Sequence, residues 1–193
     1  MPAPKANRRV LLILLLLSAA YFTLFAFPNA AGSENAQMVT IFEPDEGVPL
    51  PYVLRMIRPA ETLKETLIQF FFYGYYFYGF PYFALSALAL LPLKALGLLG
   101  DTTLVMLTLR QVVSVLPMLL AAWVLTGLQT RFRDYRAPAL FLFLLAIPAV
   151  VTNNLWWHPD SLVTLLAALV LFTLDRDNLR FGRWFLLAGL LCG

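Results

Sequence analysis

The chain has little charge, one histidine and one cysteine, and each shortage excludes something. Charged residues make up 13% of the 193 and hydrophobic residues 61%. A soluble domain carries about 25% charged and roughly 45–50% apolar residues, so an integral membrane protein is expected. The single cysteine, Cys192, has no internal partner for a disulfide and is silent on compartment. The single histidine, His158, lacks H-x-x-x-H spacing, so neither a metal nor another cofactor is expected. A formal charge of +3 is too small to suggest nucleic acid as a partner. A Gly-rich phosphate loop, a nucleophile elbow and an internal repeat are also lacking.

What is present is a series of apolar runs with polar punctuation. Lys5, Arg8 and Arg9 precede an unbroken run that predicts a spanning helix over 10–27. The run exceeds the usual signal-peptide core, and Ala30-Ala31-Gly32 is a poor cleavage site, which favours an uncleaved anchor. By the positive-inside rule the N-terminus is cytoplasmic and the next segment extracytoplasmic. Residues 28–101 are expected to form a large outer loop with juxtamembrane or re-entrant helices. Within it, Pro51 to Arg58 reads as a short interfacial helix, and Thr62 and Glu65 form a T-x-x-E capping box. Phe70 to Gly100 is apolar but broken by Gly74, Gly79, Pro81, Pro92 and Gly97. It reads either as a kinked span or as half-helices that dip into the outer leaflet and return.

Spans are predicted over 102–128, with Asp101 as N-cap, over 137–157 and over 161–174, with the start of another at 184–193. That last helix has about half of the roughly 20 residues a crossing needs, so the chain reads as the N-terminal part of something longer. Arginines cluster at Arg131, Arg133 and Arg136, and again at Arg176, Arg180 and Arg183. If Phe70 to Gly100 dips and returns, both clusters are cytoplasmic and His158 shares a side with the acidic loop; if it spans, the rule is broken.

Three constellations carry candidate chemistry. Glu43, Asp45 and Glu46 crowd a Pro- and Gly-containing turn. Asp45 or Glu46 suits a general base or a ligand to a divalent metal, while the plainer reading is a solvated turn. His158 and Asp160 follow Trp156 and Trp157, a pair that suits a membrane-interface belt. They could bind a phosphate or sugar or relay a proton; alternatively Asp160 caps the helix that starts at Ser161. Arg110 lies about 12 Å into its helix. It suits a clamp on a lipid phosphate, or it snorkels to the surface. The aromatic run Phe70 to Tyr82 reads as packing and interface anchoring, with a lipid-tail or sugar-stacking role as the second reading.

Taken in order, these features resemble the N-terminal module of the GT-C membrane glycosyltransferases, and most closely the protein O-mannosyltransferases and the aminoarabinose transferase of lipid A. Asp45-Glu46 matches the family's acidic pair, and Tyr78-Gly79-Phe80-Pro81-Tyr82-Phe83 its aromatic juxtamembrane segment. Arg110-Gln111-Val112-Val113-Ser114 fits R-x-x-S, and His158-Pro159-Asp160 fits the later outer segment. Phe80-Pro81 departs from the His-Pro pair of many relatives. The resemblance implies an all-α, multispanning helical bundle with a large outer loop, truncated at its C-terminus. It implies inverting transfer of a sugar, mannose or another, from a polyprenyl-phosphate donor to a protein, lipid or glycan acceptor. The reaction would take place at the extracytoplasmic face of a cell inner membrane or the endoplasmic reticulum. Asp45 is then the base with Glu46 supporting it, Arg110 meets the donor phosphate, and His158 and Asp160 line the pocket. The competing classes are a lipid-linked-sugar flippase or transporter component, and a noncatalytic membrane scaffold.

Overall fold

The computed structural model describes residues 6–178 and 180–192, so Lys5 of the basic cluster and Gly193 of the last predicted helix lie outside it. Among the described residues the chain is all-helical, with no strand. Two helices are long and apolar enough to cross a membrane. The first, α1 (Arg8–Ala30), opens on Asn7, whose side chain accepts the Arg9 N–H. The second runs over Thr102–Thr130. It comprises α7 (Thr102–Leu109), a π-helical segment (Arg110–Val115) and α8 (Leu116–Thr130). Asp101 opens it, with Oδ1 3.0 Å from the Leu104 N–H.

The two long helices are antiparallel. Asn7 N–H donates to the Phe132 carbonyl at 2.9 Å at one end, and Thr103 Oγ1 to the Ser33 carbonyl at 3.1 Å at the other. Between these ends Trp123 Nε1 donates to Ser18 Oγ at 2.8 Å. Against this pair pack α9 (Arg136–Leu145), α10 (Pro148–Asn153) and α11 (Asp160–Asp177), followed by α12 (Arg183–Cys192).

The single helix predicted over 137–157 is corrected to two short ones. Pro148 has no N–H and disfavours helix in the residue before it, and Ile147 is accordingly extended, with ψ 126°. Beyond Asn153 the chain leaves helix altogether until Asp160.

The outer segment holds α2 (Ala36–Phe42), the single turn α3 (Pro44–Gly47), α4 (Leu50–Met56), α5 (Leu63–Phe71) and α6 (Phe80–Ala95). The capping box that opens α5 is formed: Glu65 N–H donates to Thr62 Oγ1, and Glu65 Oε2 accepts the Thr62 N–H. Because Thr103 sits on Ser33, residues 34–102 leave and return at the same end of the bundle. Phe70 to Gly100 comes back to the end it left through one continuous helix, α6, rather than through a pair of half-helices.

The arginine-bearing turns meet at the opposite end. Asn7 lies on Phe132, and Arg131 pairs with Asp175 at 2.9 Å.

Two apolar cores hold these layers. Val10, Leu14, Val115, Leu119, Phe141 and Leu145 knit α1, α8 and α9 together. Val53, Tyr82, Phe83, Leu90, Met106 and Trp157 bind the outer segment to α7. Outward faces stay apolar, with Leu16 62% and Leu24 66% exposed on α1. A helix that is hydrophobic on its outer face as well as its inner one is built for an apolar surrounding.

Candidate functional site

The acidic turn is built so that its neighbouring carboxylates have opposite fates. Pro44 starts α3 and Gly47 ends it against α2, where a Cβ on Gly47 would lie 2.7 Å from Thr40 Oγ1. That close approach turns Glu46 inward, wholly buried, and leaves Asp45 exposed. Glu46 meets Arg110 in a bidentate pair, with Nε to Oε1 at 2.8 Å and Nη2 to Oε2 at 2.5 Å. Glu46 Oε1 also accepts the Trp157 backbone N–H. Arg110 Nη1 donates to the Asn29 and Ala31 carbonyls, at 2.8 and 2.9 Å.

These are the last carbonyls of α1, which has no basic residue in its own final turn. The cation thus satisfies orphan acceptors at the negative end of the helix dipole. Arg110 neither snorkels nor faces outward. Four of the five N–H donors of its guanidinium are spent within the protein.

The π-helical segment explains how one motif reaches two outer strands of chain. Leu116 N–H reaches back five residues to the Gln111 carbonyl, so a residue is inserted relative to α-helical register. Arg110 at its start holds the acidic turn, and Ser114 Oγ accepts the His158 N–H at 3.4 Å. Four of the residues that carry the sequence resemblance, Glu46, Arg110, Ser114 and His158, are therefore joined through Trp157 and the π turn.

Trp157 departs from its expected interface role. It is wholly buried, stacks on Tyr82 at 5.2 Å and donates Nε1–H to Ser86 Oγ, while its carbonyl accepts the Tyr82 hydroxyl. Trp156 is the half-exposed member of the pair.

His158 and Asp160 lie at the rim. Nδ1 of His158 is 3.2 Å from Asp160 Oδ2 without a linear hydrogen bond. Asp160 does not act as the side-chain cap of α11: the cap position is Pro159, and Asp160 is the first helical residue. The imidazole stacks on Trp156 at 5.0 Å and meets Tyr78 edge-on at 5.3 Å. Tyr78 contacts Tyr75 at 5.9 Å, and Tyr75 stacks on Tyr52 at 5.0 Å. Tyr52, Tyr75, Tyr78, His158 and Trp156 thus form a row of half-buried rings. Arg55 stands at its Tyr52 end, along Gly74.

Burial raises the Tyr78 phenol above its ordinary range, and the charges of Asp45 and, more weakly, Asp160 add to the effect. Both carboxylates are thus near enough to Tyr78 for their charge to act on its phenol. Burial also raises the Glu43 carboxyl; Glu46 adds to the shift and Arg110 opposes it. Among the described residues no group of three or more His, Cys, Asp or Glu side chains gathers to hold a metal.

Comparison with protein families, with curated proteins and with solved structures finds no match to this chain. The chemistry of the site is left to its own residues. An exposed carboxylate sits on a rigid turn beside a ring platform and a histidine–carboxylate pair. Such a set can accept a proton from a hydroxyl and hold a flat-faced polar ligand such as a sugar.

The sequence pointed to Asp45, Glu46, Arg110, His158 and Asp160. It missed Asn29, read Trp157 as an interface residue, and grouped Tyr78 with an aromatic run taken chiefly as packing and anchoring. Asn29 meets Arg110 through its backbone carbonyl and Trp157 meets Glu46 through its backbone N–H, and neither group carries a side-chain signal in the sequence.

Proposed function

We propose that this chain works as, or within, a membrane glycosyltransferase of the GT-C kind, taking its sugar from a polyprenyl-phosphate donor. The observation that carries the reading is the division of labour in the acidic pair. Glu46 is spent on Arg110 and Trp157, so Asp45 stands alone as an exposed carboxylate on a fixed turn beside the ring row.

In this reading Asp45 takes the proton of an acceptor hydroxyl. The acceptor oxygen bonds to the anomeric carbon from the face opposite the leaving group, the carbon–phosphate oxygen bond breaks, and polyprenyl phosphate departs with the electron pair. A phosphate leaving group needs no proton at neutral pH, so one base suffices. Arg110, first read as the donor clamp, is assigned to positioning: it holds Glu46 and through it the turn that carries Asp45. His158 and Asp160 line the donor side, with Tyr75 and Tyr78 as the surface for the sugar face. The insertion of α1 and α7–α8 in a bilayer, with this site extracytoplasmic and the arginine turns cytoplasmic, is part of the same proposal.

The test uses full-length protein in liposomes with polyprenyl-phosphate mannose labelled in the sugar. Protein-dependent release of polyprenyl phosphate, with label passing to an acceptor, is the expected result. Label that crosses the bilayer still joined to its carrier supports a flippase instead, and no change in the donor supports a scaffold.

Tyr78→Ala adds a finer prediction. An aromatic contact of about 0.5–1.5 kcal/mol corresponds to a two- to tenfold rise in KM for the donor, with kcat nearly unchanged. A loss confined to kcat would remove Tyr78 from the binding surface.

A further inference from the structure

The end of the bundle remote from Asp45 carries a second feature. An open groove runs between α1, α8 and α11. Its two adjoining volumes, about 420 and about 550 Å³, share Trp123, Val124 and Leu169 as common walls. Leu15, Leu120 and Leu165 line the deeper part, where Ser18 is already satisfied by Leu14 and Trp123. From Leu116 to Arg131 the groove follows α8 for about 22 Å, most of the roughly 30 Å of a bilayer's hydrocarbon core. At its mouth the wall changes character to Arg131, Phe132, Phe172 and Arg176.

This mouth is a built structure. Arg131 and Phe132 are both left-handed, with φ 53° and 55°, a conformation rare for bulky side chains. It is held by the Asn7 N–H on the Phe132 carbonyl and by the Phe132 ring seated over Gly127. A Cβ at Gly127 would lie 2.7 Å from that ring. The turn fixes Arg131 over the groove. Only Nη2 of Arg131 is engaged by Asp175, in an exposed pair of the kind that is worth little. Arg176 is spread over the Phe172 ring at 4.9 Å, and among the described residues it has no carboxylate partner.

An apolar slot about as deep as most of a bilayer's hydrocarbon core, opening under two guanidiniums with free N–H groups, matches one kind of molecule. We infer that the groove binds an anionic phospholipid of the leaflet at the arginine end. Its acyl chain lies along Leu120, Leu165 and Leu169, and its phosphate lies between Arg131 and Arg176. A zwitterionic lipid fits the slot equally well but brings a cation to a mouth that is already positive. The inference rests on bilayer insertion and not on sugar transfer, so a protein that binds lipid here yet transfers no sugar loses only the transferase reading.

The test is a titration of delipidated full-length protein in detergent, followed by native mass spectrometry. The probes are phosphatidylglycerol and phosphatidylcholine of equal chain length, with inorganic phosphate as a headgroup control. Saturable binding of phosphatidylglycerol is expected, with phosphatidylcholine at least about tenfold weaker. The double variant Arg131→Gln/Arg176→Gln weakens phosphatidylglycerol by about thirtyfold, from the contribution of each arginine near an anionic headgroup. The double variant Arg133→Gln/Arg136→Gln removes the same charge away from the groove and leaves binding within twofold. Leu169→Trp fills the slot and abolishes binding of the lipid. Equal binding of the two lipids, equal effects of the two arginine pairs, phosphate binding as tightly as the lipid, or indifference to Leu169→Trp would each overturn the assignment.

Discussion

Replacing Arg110 by methionine is expected to destabilise the protein by about 3–5 kcal/mol, the range for breaking a buried ion pair from one side. The cost comes chiefly from what is left behind. Glu46 is wholly buried and would be left with only the Trp157 N–H to meet it. The Asn29 and Ala31 carbonyls at the end of α1 would also lose their donor. For a chain of this size the corresponding fall in melting temperature is roughly 6–20 °C.

The double variant Arg110→Met/Glu46→Gln should recover most of that loss, because a glutamine oxygen still accepts the Trp157 N–H and no uncompensated charge remains. Thermal unfolding of the full-length protein in micelles reads both variants. A single variant as stable as the parent would mean that water reaches the pair and that it does not pin the acidic turn.

Asp45→Asn is expected to lower kcat for sugar transfer by about 10²–10⁴, the usual worth of a positioned general base, with the melting temperature within a degree or two of the parent. Asp45 is exposed and makes no hydrogen bond that the fold relies on. Glu46→Gln behaves in the reverse sense. It loses stability first, since it leaves Arg110 buried against a neutral partner, and loses activity only as far as the turn moves. The two adjacent acids therefore separate by measurement: one fails in chemistry with the fold intact, the other in the fold. If Asp45→Asn keeps full transfer activity, the proton goes elsewhere, and Glu43 or Asp160 becomes the base to test.

Particular residues show why part of this was legible in the sequence. Helix ends were readable because capping is local: Asp101, Thr62 and Glu65 do what their spacing says. The return of residues 34–102 to its starting end was one of two readings, favoured because arginine-bearing turns group on one side. The pairing of Glu46 with Arg110 was not readable. The partners are 64 positions apart, and each looks in isolation like a reactive group. Nothing local distinguishes an arginine that will bind a ligand from one that will end a helix. The break at Pro148 was visible as a residue, but the apolar composition on both sides disguised it as one span.

The inward turn of Glu46 depends on Gly47 lying against Thr40, a contact that appears only once α2 and α3 are packed. The π-helical insertion is equally hidden, because the partners of Arg110 and Ser114 lie on two segments remote in sequence.

One placement is central: the Asp45 turn and the His158 segment share a face, and the arginine-bearing turns lie on the other. Single-cysteine labelling of the full-length protein in intact cells tests it, in a Cys192→Ser background. The probe sites are Glu34, Leu155 and Asp134, all of which are exposed. With a membrane-impermeant reagent applied from outside, Glu34→Cys and Leu155→Cys are predicted to label and Asp134→Cys to label only after permeabilisation. Labelling of Asp134→Cys from outside, or of Glu34→Cys without Leu155→Cys, would split the site across the bilayer and contradict the account.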